Sequence, residues 1–317
     1  MAAELASLGV RARAAVKSIS TASSAARDQA LLVAADLLLA GAERLLEANR
    51  ADVAKAEADG LAPGALDRLA LDPARIDQMA EGLRQVASLP DVLGEVLEGR
   101  VRPNGLRVER VRVPLGVVGI IYENRPNVTS DAAALCVKSG NVAFLRGSSS
   151  ALESNRAVVA VLREALSKTG LSEDGVLLVE DTSHATAVAF MRLRGVIDCL
   201  IPRGGRGLID LLLEEATVPY VLDGDGNCHV YVDGAADLSM ALDVALNAKT
   251  HRFGVCNAAE TVLVDAAVAD EFVPRLADAM AAAGVEIRGD AAVQALVPAA
   301  VAAEESDWAT EYLGPTL

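Results

Sequence analysis

The sequence predicts an α/β protein built on a doubly wound, Rossmann-like parallel sheet, with a layer of helices ahead of it and a second, incomplete α/β unit behind it. Three observations carry that expectation. Short apolar segments at residues 117–122, 142–145, 176–179, 196–201 and 220–222 alternate with amphipathic stretches at 128–138, 152–166, 185–192 and 207–215, the pattern of a parallel sheet covered on both faces. Residues 1–90 carry helical spacing only. Beyond residue 260, a strand at 261–264, a helix at 267–283 and a strand at 285–288 repeat the alternation on a smaller scale.

In chain order, Ser24 is the expected N-cap of a helix reaching residue 46, with Leu31, Ala34, Ala35, Leu38 and Leu39 on one face. A second helix covers 49–59 and stops at Gly60, and a third begins at Asp72-Pro73, where proline suits the first helical position. Alternating segments on either side of Pro103-Asn104-Gly105 predict a hairpin over 96–113. That ribbon is either an oligomerisation arm or an ordinary surface hairpin. After the main sheet come a strand around His229 and a helix capped by Asp237, with Leu238, Leu242 and Leu246 in register. The expected division is a nucleotide-binding domain at 1–252 and a partial thiol-bearing domain at 253–317.

Composition narrows the function. Apolar residues make up 52% of the 317 and aromatic residues only 3%, so Ala, Val and Leu must fill the core. A net charge of −15 argues against nucleic acid, and no run reaches the roughly 18 apolar residues of a membrane span. Four cysteines without paired spacing suit a reducing, cytoplasmic setting. The three histidines, His184, His229 and His251, are scattered, so no metal site is expected.

The chemistry concentrates in residues 247–260, NAKTHRFGVCNAAE. Cys136, Cys199 and Cys228 lie in apolar runs, whereas Cys256 sits between turn residues Gly254 and Asn257, where a reactive thiol is expected. Arg203-Gly204-Gly205-Arg206-Gly207 follows a strand and opens a helix, a turn that either receives a phosphate or serves geometry alone. Arg146, followed by Gly147-Ser148-Ser149-Ser150, suits a 2′-phosphate and hence NADPH, or is a solvated strand-end arginine. Asn124, in ENRPN, could donate to an oxyanion together with the Cys256 amide, or form a plain turn. Arg125, Asn127 and Thr129 are substrate-binding candidates because they sit at the mouth of the first strand. Asp223, in DGDG, is a base or a turn residue. A Cys256–His251 hydrolase dyad would leave the rest of the chain unexplained.

The segments PLGVVGIIYENRPNVTSDAAALCVKSGN, FLRGSSSALESNRA, IPRGGRGLID, GDGNCHVYVD and NAKTHRFGVCNAAETVLV resemble, in order and nearly in wording, the gamma-glutamyl phosphate reductases, a branch of the aldehyde dehydrogenase superfamily. The resemblance spans the whole chain. It implies an aldehyde dehydrogenase-like fold and the NADPH-dependent reduction of an acyl phosphate, L-glutamate 5-phosphate, to L-glutamate 5-semialdehyde in proline biosynthesis. By the same resemblance Cys256 is the nucleophile and Asn124 the oxyanion donor. Arg146, Ser148, Gly204 and Gly207 fall on the cofactor side, and Glu311 matches the glutamate that holds the nicotinamide ribose. Asp223 stands where the superfamily has a water-activating glutamate. Members of the family continue beyond the point where this sequence stops, so a C-terminal truncation is expected, and a homo-oligomer is expected of the full-length chain. The alternatives are a non-catalytic nucleotide-binding remnant and another acylating aldehyde dehydrogenase.

Overall fold

The computed structural model describes residues 2–61, 63–222 and 226–317, so Asp223 lies outside the described residues. The chain forms two compact units, Met1–Asp223 and Gly224–Leu317. The division thus falls ahead of the expected one after residue 252. The helix over 238–250 accounts for the difference, because it packs on the strands and the following helix of the second unit.

In the first unit, α1 (Ala2–Ser20), α2 (Ser24–Ala40), α3 (Ala42–Ala58), α4 (Pro63–Leu69) and α5 (Pro73–Ser88) precede the sheet. Ser23 rather than Ser24 caps α2, its Oγ accepting the Ala26 amide at 3.2 Å. The helix expected to reach residue 46 breaks at Gly41, whose amide closes onto the Leu37 carbonyl at 2.9 Å. Asp72 caps α5, its Oδ1 accepting from the Arg75 amide at 2.7 Å. Strands β1 (Val96–Val101) and β2 (Arg107–Val111) pair antiparallel across the Asn104-Gly105 turn, and every residue of both is exposed.

The doubly wound body follows as β3 (Val117–Tyr122), α6 (Pro126–Lys138), β4 (Val142–Arg146), α7 (Leu152–Lys168), β5 (Val176–Leu178), α8 (His184–Met191), β6 (Cys199–Arg203) and α9 (Arg206–Glu215). Its strands run in the order β5-β4-β3-β6, all parallel. β3 is buried along its whole length, as a central strand covered on both faces must be. α6 packs on α7 and α8 on α9, and the right-handed rule for parallel crossovers assigns the two pairs to opposite faces of the sheet. Helices α2, α3 and α5 stack on the α6–α7 layer, and α1 joins α8. Two strand expectations change. β6 begins at Cys199 because the Val196 and Ile197 amides bend back to the Leu193 carbonyl at 3.1 and 3.0 Å. The segment 220–222 contributes only an isolated bridge from Tyr220 to Leu200.

The second unit comprises β7 (Cys228–Val232), α10 (Leu238–Thr250), β8 (Ala259–Val264), α11 (Ala266–Ala282), β9 (Arg288–Gly289), α12 (Ala291–Leu296) and β10 (Val301–Ala302). β7 pairs with β8, and β9 with β10, both parallel. Asp237 caps α10 through the Ser239 and Met240 amides at 2.9 and 3.1 Å. Phe272, Leu276 and Met280 of α11 fill the core with Ala245 and Val232. Within it, Lys249 of α10 and Glu260 of β8 form an ion pair at 2.9 Å, with side chains 0% and 1% exposed. No helix among the described residues is long and apolar enough to cross a membrane.

Helices α1 and α7 are tied through one carboxylate: Arg11 and Arg163 donate to Asp174 at 2.5 and 2.9 Å. The Arg11 hydrogen bond, chiefly, holds the Asp174 carboxyl below its ordinary range despite partial burial. An acid whose pKa is depressed by folding stabilises above its unfolded pKa, and that contribution is lost as pH falls through the folded value. Asp174→Asn is expected to cost about 1 kcal/mol at neutral pH, with the difference shrinking as pH falls below the ordinary carboxylate range; urea unfolding at neutral and at acid pH measures it.

Candidate functional site

The strand order reverses at β3, with β4 and β5 on one side and β6 on the other, so its carboxyl end opens the crevice where doubly wound sheets bind ligands. The Glu123 amide donates to the Arg203 carbonyl at 3.2 Å, carrying the β3–β6 ladder one residue further. Asn124 then turns the chain with φ of 39°, a left-handed conformation that asparagine tolerates better than most residues. Its Oδ1 accepts from Ser148 at 3.1 Å and also from Ser150, while its backbone N–H donates to Ser148 Oγ at 3.2 Å. Among the described residues no hydrogen bond engages its Nδ2. Ser148, expected on the cofactor side, is therefore committed to Asn124.

Arg146 ends β4 with its Nη2 donating to the carbonyls of Thr182 and Ser183 at 2.6 and 3.2 Å. Its Nε is buried without a partner. Burial pulls the guanidinium below its ordinary pKa, and the carboxylates of Asp181 and Glu123 oppose that. At the β6–α9 turn, a side chain at Gly204 would press on Leu208 and Glu123 at 2.7 and 2.8 Å, so only glycine lets strand and helix approach here. Gly205 and Gly207 face open space. Glu123, which sequence reasoning missed, accepts the Gly205 N–H at 3.2 Å and places a carboxylate at the start of α9. The open glycines and the orphaned Arg146 Nε fit a phosphate-bearing dinucleotide in kind.

The three substrate candidates separate. Arg125 is half-buried at the N-cap of α6. Asn127 is exposed and donates to Asp131 at 3.1 Å. Thr129 is 0% exposed, its hydroxyl shared with Tyr122 at 2.7 Å and Asn155 at 2.8 Å. Helical spacing explains the correction: Thr129 shares the inward face of α6 with Ala133, Cys136 and Val137. It supports the fold and cannot face a substrate.

In the second unit, α10 runs into a turn closed by the Ala258 amide on the Val255 carbonyl at 3.1 Å. Cys256 is exposed at its tip, and Ala258, Ala259 and Glu260 are buried behind it. The other thiols differ: burial pushes Cys136 up to about 12 and raises Cys199, while half-buried Cys228 donates to the Cys256 carbonyl at 3.3 Å. A Cβ on Gly226 would overlap that same carbonyl and lie 2.9 Å from Glu311 Oε1. The cysteine backbone and the Glu311 carboxylate thus converge on one glycine. Glu260 links this turn to the Glu311 segment, its Oε2 accepting from Lys249 at 2.9 Å and from the Tyr312 amide at 3.4 Å. His251 turns back to its own helix, Nδ1 meeting the Asn247 carbonyl at 3.1 Å, rather than pairing with the thiol. No cluster of three or more His, Cys, Asp or Glu residues suited to a metal ion occurs among the described residues.

Comparison with known proteins adds a family likeness. The model of the aldehyde dehydrogenase family matches residues 2–312. A gamma-glutamyl phosphate reductase of Thermobifida fusca is 50% identical over 303 residues, 96% of this chain and 72% of the relative. The crystal structure of a gamma-glutamyl phosphate reductase from Thermotoga maritima matches with a TM-score of 0.93 and 44% identity, covering 99% of this chain and 76% of that one. One from Saccharomyces cerevisiae matches at 0.64 and 30% identity, over 91% and 72% of the two chains.

The exposure ranking of the thiols has a direct readout. Brief iodoacetamide treatment of the native protein is expected to label Cys256 first and to spare Cys136 and Cys199 until the chain is unfolded, as peptide mass spectrometry would show. Gly226→Ala, by displacing the Cys256 backbone, is expected to change the Cys256 labelling rate and to cost about 1–3 kcal/mol in an unfolding titration.

Proposed function

The chain belongs to the aldehyde dehydrogenase family and, within it, to the gamma-glutamyl phosphate reductases; from that premise we propose that it reduces L-glutamate 5-phosphate to L-glutamate 5-semialdehyde and phosphate through a thioester on Cys256, with NADPH as reductant. The observation that carries the assignment of the nucleophile is the position of Cys256, exposed at a turn tip whose backbone packs beside the Glu311 carboxylate.

In this mechanism the Cys256 thiolate attacks the acyl carbon of the mixed anhydride. Negative charge develops on the carbonyl oxygen, where the free Nδ2 of Asn124 and the Cys256 N–H donate hydrogen bonds that strengthen as the charge grows. The bond to the phosphate oxygen breaks with its electron pair, phosphate leaves, and the acyl group stays on sulfur. When bound, the nicotinamide supplies hydride to the acyl carbon. Asn124 holds the second oxyanion in the same way, until the carbon–sulfur bond breaks and Cys256 recovers its charge. Gly207 and Arg146 would hold the dinucleotide on the first unit, and Glu311 its ribose. A cationic Arg146 favours the extra phosphate of NADPH, and Arg125 and Asn127 remain the candidates for the substrate's charged ends. We place the enzyme in the cytoplasm and assign the β1–β2 hairpin to contacts between copies of the chain.

Two substitutions test the reading in the reverse direction, with semialdehyde, phosphate and NADP⁺ as reactants and absorbance of the reduced cofactor as the signal. Cys256→Ala is expected to abolish turnover, and substantial residual activity would remove Cys256 from the mechanism. Asn124→Ala is expected to lower kcat by roughly 10²–10³-fold with little change in KM.

A further inference from the structure

The hydroxyls around Asn124 have no part in the reaction as described, yet their geometry is closed. The Asn124 backbone N–H donates to Ser148 Oγ at 3.2 Å. Ser148 and Ser150 share a hydrogen bond at 2.8 Å, and Ser150 donates to Asn124 Oδ1. Ser148 Oγ also lies 3.1 Å from Asn124 Oδ1, so with Ser150 donating to Oδ1 the single Ser148 proton has two acceptors in the ring, that oxygen and Ser150 Oγ. Turning the amide over would make Nδ2 donate to the serines and send one hydroxyl proton out of the ring, whereas with Oδ1 inward both hydroxyl protons are used within it. In that orientation the carbonyl oxygen is held inward and both Nδ2 protons remain for another acceptor. The φ of 39° at Asn124 fixes the backbone half of the arrangement. The serine half is anchored from α3, where Asp52 accepts from the Glu153 and Ser154 amides at 3.2 and 2.8 Å and pins the start of α7 directly after the serine turn.

We propose that Ser148 and Ser150 are positioning residues that hold Asn124 Oδ1 inward and so keep its amide protons available for the oxyanion of the proposed reaction. The proposal rests on the reading of Asn124 as the oxyanion donor. It reassigns Ser148 from nucleotide recognition to the geometry of catalysis, and it explains why two hydroxyls stand at alternate positions of the turn. A donor that can flip or swing spends part of its time presenting an oxygen, which repels the developing charge, so loss of the clamp weakens the transition state without weakening ground-state binding.

The test is a double-mutant cycle with an activity-independent arm. Ser148→Ala, Ser150→Ala and their combination are compared with Asn124→Ala in both backgrounds, using the semialdehyde assay. The expected result is a fall in kcat of roughly 10-fold or more for the double serine variant, with the NADP⁺ KM within about twofold and no further loss when the serines are removed from Asn124→Ala. Ser150→Thr, which keeps the hydroxyl, is expected to recover most of the rate. An undiminished kcat, a selective rise in the NADP⁺ KM, or losses that add in the Asn124→Ala background would each overturn the clamp. Full activity of Asn124→Ala alone would instead defeat the oxyanion assignment, a separate result. Independently of turnover, the Asn124 side-chain amide, identified in ¹⁵N spectra by its disappearance in Asn124→Ala, should show greater mobility when both serines are removed. An unchanged relaxation profile would refute the lock even in a protein without activity.

Discussion

Hydrogen bonding on both edges of β3 is the constraint from which the first unit's chemistry follows. Flanked by β4 on one side and β6 on the other, and covered on both faces, β3 has every backbone group committed until it reaches its carboxyl end. There the neighbouring strands run into separate turns, β4 into the serine turn and β6 into the glycine turn of α9. Glu123, whose amide makes the last bond of the β3–β6 ladder, and Asn124, the first residue past it, stand at that end. Asn124 turns in the left-handed region and carries its amide to the serines; Glu123 reaches to the start of α9. Position in the sheet, more than residue identity, makes these side chains functional candidates.

The second unit solves a different problem with a buried charge pair. Lys249 and Glu260 sit almost fully excluded from water, at a desolvation cost that their mutual attraction offsets only in good geometry. What the pair provides is placement: it joins the end of α10 to the start of β8 on either side of the cysteine turn, and the same carboxylate takes the Tyr312 amide. A hydrocarbon pair of equal volume would fill the space without fixing that register. The sulfur-bearing turn and the Glu311 segment are thereby held to a common post.

Much of this was legible in the sequence because it is local. Alternating βα segments, the Asp72 and Asp237 caps, the Asn-Gly hairpin and the cysteine between turn formers each announce themselves within a few residues, and the structure has all of them. The features that differed depend on contacts distant in sequence or on small shifts of phase. β6 starts late because Val196 and Ile197 close a turn with Leu193, although their side chains suit a strand. Thr129 lies seven residues past the end of β3, and the helix that starts at Pro126 rotates it into the core. The partnership of Asn124 with Ser148 and Ser150 spans 24 and 26 residues, and nothing in either segment signals the other before β3 and β4 are laid side by side.

The β1–β2 ribbon has a dynamic consequence. All of its side chains face water, so little beyond its own ladder of backbone bonds opposes opening, and an isolated two-stranded ribbon is marginal on that basis alone. Its amides should trade hydrogen for deuterium long before those of β3, and a protease should find its first cut there. Wherever that ribbon is seen to resist both, something outside the ribbon must be shielding it.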